Sequence, residues 1–173
     1  MAGNRKYDED RFAELVLYVA WSARDESDFG RLKLAKTLFY SDLAAFAERG
    51  QSLTGARYEH WQHGPFPPTL YAVEKRLEAD GLLRVEGTEG RLILHEKPDT
   101  PHFEDDAIVD HYIAKFAKQD TWEVRGSSHQ HPGWWITGDR EEIPYHVAFM
   151  SRREPTEDDF ERGEELAHKY GWP

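Results

Sequence analysis

The sequence predicts an α+β fold, a mostly helical single domain with a small antiparallel sheet, and three observations carry that expectation. Leu32, Ala35, Leu38, Phe39, Leu43 and Phe46 recur at helical spacing along 31–50 and form one apolar stripe. Residues 57–63, Arg-Tyr-Glu-His-Trp-Gln-His, have the aromatic, alternating character of a short strand, and Gly64-Pro65-Phe66-Pro67-Pro68 follows as a turn. Two short apolar runs, 82–85 and 91–95, flank the glycine-rich turn 87–90 and read as a hairpin. With a helix on either side, residues 11–95 spell helix, helix, strand, helix, hairpin, a winged-helix-like order followed by further helices. Such an order speaks to fold and does not fix function.

Each element follows from local chemistry. Residues 1–10 form a polar leader expected to be flexible. The first helix, 11–24, carries Phe12, Leu15, Val16 and Val19 on its apolar face, with Tyr18 and Trp21 adding bulk. Asp28 in the charged turn 24–30 is a candidate cap for the central helix. Gly50 ends that helix, because glycine enters the left-handed region without strain. Pro67 or Pro68 suits the first turn of a third helix with Leu70, Val73 and Leu77 as its stripe, and Gly81 closes it. After a proline-marked linker, 96–101, a helix over 104–119 presents Ile108, Tyr112 and Phe116, with Val109 and Ile113 beside them. Residues 127–135 read as a loop or short turn dense in polar and aromatic groups, and 140–145 as another proline-marked segment. Thr156, Glu157, Asp158 and Asp159 open a charged C-terminal helix over 156–169.

Composition narrows the function. The chain has 173 residues, enough for one core spanning 1–173, and no cysteine, which removes disulfides, thiol catalysis and sulfur-ligated zinc. No long apolar run marks a signal peptide or membrane span, so the expectation is a cytoplasmic protein. Against 22 basic residues stand 33 acidic ones, a net charge of −11 that opposes phosphate-backbone binding. The recognition-helix candidate of a winged helix, 68–80, has three acids (Glu74, Glu78, Asp80) against two bases (Lys75, Arg76), and the wing 86–90 has no base. Nucleic acid is therefore an unfavoured partner.

Four constellations bear on chemistry. His60, His63, His129 and His131 could in principle converge on a metal, but they form no consistent ligand set such as HExxH, and the structural use of such histidines is favoured. Ser128-His129 with Asp42 could be drawn as a triad, yet neighbours in sequence are not neighbours in space. Asp42 interrupts an apolar face and, if it points inward, requires a partner, for which Arg57, Tyr58 or Ser128-His129 are the candidates. No phosphate-cradling glycine motif is present. The fourth constellation is a protein-binding surface: six tryptophans and eight tyrosines are many for this length, and Trp61, Trp134 and Trp135 lie in polar, turn-rich stretches. Interfaces concentrate energy in Trp, Tyr and Arg anchors, roughly 2 kcal/mol or more each. The alternative, that Trp61 and Trp135 fill the core edge beneath loops, weighs equally.

Several of these residues also carry a family resemblance. The run 32–42 from Leu32-Lys33-Leu34-Ala35-Lys36 to Tyr40-Ser41-Asp42, then Gly50, then Thr54-Gly55-Ala56-Arg57-Tyr58, then His63-Gly64-Pro65, resembles the core signature of Panacea domains. Ser128-His129, Trp135 and Ile143-Pro144-Tyr145 are similar to that family's C-terminal elements, so the resemblance covers about residues 12–148. Ala35 and Thr37 are looser matches. The resemblance implies an antitoxin of the SocA-like, phage-associated bacterial type, which binds a cognate protein toxin directly and can present it to a cytoplasmic protease. It implies no enzymatic activity and no cofactor.

The expected toxin-binding residues are Arg57, Tyr58, His60, Trp61, His63, Gly64, Pro65, Ser128, His129 and Trp135. The strand they sit on could also pair edge to edge with a segment of the partner. Lys33, Lys36, Tyr40, Asp42, Gly55, Ile143, Pro144 and Tyr145 are expected to serve the structure. The competing reading is a winged-helix-like transcriptional autorepressor. Nothing in the sequence fixes an oligomeric state.

Overall fold

A computed structural model describes residues 4–99, 106–150 and 157–170. Its elements run α1 (Glu9–Ser22), α2 (Arg31–Arg49), β1 (Glu59–Trp61), β2 (Gly64–Phe66), α3 (Leu70–Ala79), β3 (Leu83–Glu86), β4 (Arg91–Leu94), α4 (Asp106–Ala117), α5 (Thr121–His129), α6 (Pro132–Trp135), a 3-10 helix (Tyr145–Phe149) and α7 (Glu157–Tyr170). The α+β expectation holds, with helices dominating and two separate antiparallel strand pairs.

Helix α2 is the axis of the molecule, touching α1, α4, α5, β2 and the 3-10 helix. Leu34, Ala35, Leu38, Phe39 and Leu43 are buried along it, and Gly50 ends it with φ 72. Because neighbours surround this helix, Lys33, Lys36, Thr37, Ser41 and Asp42 are buried as well. An apolar stripe alone does not anticipate five interior polar side chains. A lone buried polar group is costly, and Lys33, Lys36, Thr37 and Asp42 each have a partner, whereas Ser41 Oγ has none among the described residues. Asp28 is not the cap of α2: Gly30 holds that position, and Asp28 instead accepts from the buried Lys33 ammonium at 2.7 Å.

Helix α1 starts two residues earlier than the periodicity suggests, because Asp8 accepts from Arg11 N as its cap. Phe12, Leu15, Val16 and Val19 are all fully buried, as their spacing requires. The leader is tied down from residue 4: Asn4 Oδ1 accepts from Ser52 N at 2.9 Å, and Asp8 N donates to Thr54 O at 3.0 Å. Tyr112 of α4 stacks on Tyr40 of α2 and Phe116 packs against it at a tilt, with centroids 5.6 Å from it in both cases.

The winged-helix order is present, but its sheet is not. β1 pairs with β2, and β3 pairs with β4, so the strand between the second and third helices does not join the hairpin. In α3, Arg76 is engaged by Glu9 and Asp10, and Glu74 is buried against Arg31. The cap expected at Thr156 lies outside the described residues; α7 itself runs from Glu157 to Tyr170.

Candidate interaction site

The hairpin β1–β2 corrects the reading of 64–68 as a bare turn. Gly64, Pro65 and Phe66 form a strand that pairs back on 59–61, with Trp61 opposite Gly64, His60 opposite Pro65 and Glu59 opposite Phe66. A proline is tolerated here because of which way its partner's backbone faces. His60 N donates to Glu141 O at 2.9 Å, and His60 O accepts from Arg140 N at 2.8 Å, both on the side away from β2. Pro65 therefore sits at a position where no N–H is asked for. Gly64 has φ 90, and a Cβ there would collide with Ser128 Oγ and lie 3.0 Å from Lys36 Cε. Only glycine meets both demands.

The other edge of β1 is taken by the chain itself. Ile143 N donates to Tyr58 O at 2.8 Å, and Glu59 bridges Glu142. Edge pairing of β1 with a foreign segment, expected from the sequence, is thus precluded: both of its sides are filled. Pro144 then leads into the 3-10 helix as its N-cap.

The stretch 127–135 is helical rather than a loop. Asp120 and Glu123 form a reciprocal capping box that starts α5, and Pro132 occupies the first turn of α6. These helices bring Trp134 onto the hairpin. Its ring lies between His60, at 4.2 Å and 22°, and His129, at 4.2 Å and 8°, and its Nε1 donates to Trp61 O at 3.1 Å. Two histidines separated by an indole cannot share an ion. His131 Nδ1 accepts from Gly133 N, and burial holds its imidazole near pKa 4, so it stays neutral as a cap for α6. His63 stands exposed at the hairpin tip. Among the described residues no group of three or more His, Cys, Asp or Glu side chains is placed to hold a metal ion.

Beneath the hairpin lies a polar hub. Asp42, fully buried, accepts from Thr54 N at 2.9 Å, Thr54 Oγ1 at 2.6 Å and Tyr58 OH at 2.7 Å, with Tyr145 OH at 3.3 Å. Tyr145 OH also donates to Ala56 O at 2.7 Å. Burial raises the Asp42 carboxyl above its ordinary range, and the hydrogen bonds from Thr54 and Tyr58 pull it partly back. Of the partners considered for Asp42, Tyr58 is the one in contact. Arg57 is exposed and pairs with Glu59 and Glu142 at 3.4 Å each. Ser128 donates to Arg125 O within α5 and packs against Gly64, so no serine–histidine–aspartate triad is assembled. Gly55 packs against the backbone of Arg5 and Lys6.

The predicted binding residues thus divide by depth. Tyr58, Gly64, Pro65 and Ser128 are interior, where they hold the hairpin in place. His60, Trp61 and His129 are half-buried, and Arg57, His63 and Trp135 are exposed. Trp61 covers Phe66 at 4.6 Å while its other side meets Arg140, and Trp135 is 61% exposed next to Ile136 at 54%. Trp122, 76% exposed on α5 and beneath Arg125, is a surface aromatic missed in the sequence. Its position as the second residue of a capped helix is the available signal.

No match is found among curated proteins or among solved structures. The family described as antitoxin SocA-like, Panacea domain, matches residues 34–135, which is more than half of the chain and takes in most of the central helix, the hairpin and α6. That span is narrower than the resemblance over 12–148, and it leaves Ile143, Pro144 and Tyr145 outside. On this match, the chain belongs to the SocA-like antitoxin family built on the Panacea domain.

Proposed function

We propose that this protein is the antidote half of a toxin–antitoxin pair and neutralises a cognate protein toxin by binding it directly. Its action is steric and non-enzymatic, in the cytoplasm, and the bound toxin can also be passed to a protease. The gripping face is the β1–β2 hairpin together with the 129–136 segment. One observation supports this most: two stretches far apart in sequence are clamped together through Trp134, and they leave Arg57, His63 and Trp135 exposed. Preorganised aromatic and arginine groups are what tight interfaces are made of. Because both edges of β1 are filled, contact is made by side chains and not by strand addition.

The test is co-expression with the product of the neighbouring reading frame. Arg57→Ala combined with His63→Ala should abolish rescue from a lethal neighbour while leaving the thermal melt nearly unchanged, since both side chains are exposed. Full rescue by this double variant removes the hairpin from the gripping face. A neighbour that is harmless alone removes the antitoxin reading itself.

A further inference from the structure

Beside the hairpin, between it and helices α2 and α3, is a cavity of about 210 Å³. Trp61, Phe66 and Tyr71 form its aromatic walls, and Arg31, Lys36 and Arg140 supply its charge. Among the described residues no carboxylate lines it. In a chain with net charge −11, three cations on one small cavity without an acid among them is not a random draw.

The three cations differ in how they are held. Arg31 is neutralised from behind by Glu74, with Nη2 to Oε2 at 2.7 Å. Lys36 is 1% exposed, and its ammonium donates to Pro65 O at 2.7 Å with no carboxylate partner among the described residues. An ammonium has three donors, and burying one without a counter-ion is expensive. Arg140 is the one non-glycine residue with positive φ among those described, at 63, and its guanidinium lies 3.7 Å from the Trp61 ring centroid, with no ion pair among the described residues. Backbone strain persists where something else requires the geometry. Here it carries a cation over the mouth of an aromatic cavity.

We propose that this cavity recognises a carboxylate carried on a short stem: an acidic side chain or the chain terminus of the toxin. This rests on the antitoxin reading above. The rings accommodate the stem, and Arg140 and Lys36 meet the two oxygens, the fork geometry of guanidinium suiting a carboxylate. Such an anchor buried at the centre of an interface is a natural hot spot.

The pocket also gives the binding a pH signature. Burial lowers the Lys36 amine to about 7, so binding an anion draws a proton onto it and affinity rises as pH falls through that value. The titratable groups that feel its charge are His63 on the hairpin tip and His129 on α5, and the other charged groups on the cavity are Arg140 and, on its own helix, Arg31. Burial and the charges of Arg125 and Lys36 hold both imidazoles below their ordinary 6.5, beneath the window in which Lys36 titrates.

The experiment is titration of the full chain, followed by tryptophan fluorescence and calorimetry. The probes are Nα-acetylglutamate amide, Nα-acetylphenylalanine, the neutral Nα-acetylglutamine amide and inorganic phosphate. One of the two carboxylates should bind at least about tenfold tighter than the neutral amide, and which one it is identifies a side chain or a chain terminus as the source. Arg140→Ala should weaken it about tenfold. Lys36→Met should remove the affinity gain on going from pH 8 to 7, while His63→Gln keeps it. Equal binding of the neutral amide, no binding of either carboxylate, or tighter binding of phosphate overturns the proposal. Since Arg140 is exposed, its variant stays informative even if Lys36→Met does not fold. Carboxylate binding together with full toxin rescue by Arg140→Ala removes the toxin as the source and leaves the antitoxin reading intact. Failure of the unaltered chain to rescue overturns both.

Discussion

Asp42→Ala tests whether the fold depends on its buried hub. The substitution strands Thr54 N, Thr54 Oγ1 and Tyr58 OH, which lie 2.9, 2.6 and 2.7 Å from the carboxylate. Tyr145 OH is less affected, because its shorter bond goes to Ala56 O at 2.7 Å. An unsatisfied buried donor costs about 1–3 kcal/mol. Part of that is returned, because the carboxylate's own desolvation disappears with it. A net loss of about 3–5 kcal/mol is expected, what three such stranded donors cost once that return is subtracted. Measured against a total of about 5–15 kcal/mol, this is a severe lesion. Urea unfolding monitored by tryptophan fluorescence gives the value directly, with an unchanged m-value as the check on two-state behaviour.

Asp42→Asn, which preserves an acceptor, should lose about 1–2 kcal/mol. The carboxyl has a folded pKa above its ordinary 3.8, so the proton-linked part of its stabilisation is fully present below 3.8 and is lost as pH rises through the folded pKa. The Asn variant should lack this acid-side gain. A loss below about 1 kcal/mol for Asp42→Ala, or equal losses for Ala and Asn, would refute the hub.

Gly64→Ala should lower stability by about 2 kcal/mol, and adding Ser128→Ala, which removes the nearest obstructing oxygen, should restore part of it in thermal melts. Trp134→Ala should cost about 2–4 kcal/mol and erase the ring-current shifts of His60 and His129 in NMR spectra, because both imidazoles stack on it at 4.2 Å. His131 has a folded pKa near 4 against an ordinary 6.5, so the stability it lends is present above 6.5 and drains away as pH falls toward 4. A His131→Gln variant should unfold with a shallower acid slope over that range.

The parts of the fold written in short-range periodicity were the legible ones. The stripe of α2, the face of α1, the hairpin 83–94 and the stop at Gly50 all follow from spacing and glycine chemistry. Strand β2 was hidden because Pro65 reads as a terminator. Only the long-range bonds from His60 to 140–141 reveal why a proline is harmless there. Helix α5 was obscured by Gly126, Ser127 and Ser128, although Asp120 and Glu123 spelled its capping box. The candidate site was legible as two segments but not in depth. A polar-aromatic strand looks the same on paper whether Tyr58 faces a partner or Asp42. Depth is decided by α2, which packs on all sides and so draws polar groups inward.

The backbone of 140–143, laid along β1, is a seam sewn after the family's matched span has ended at residue 135. Cutting the chain there would unpick Tyr58 O and both backbone groups of His60 at once, baring a row of donors and acceptors that invites like copies to zip together. A piece that keeps this edge of β1 covered therefore has to keep going through Tyr145.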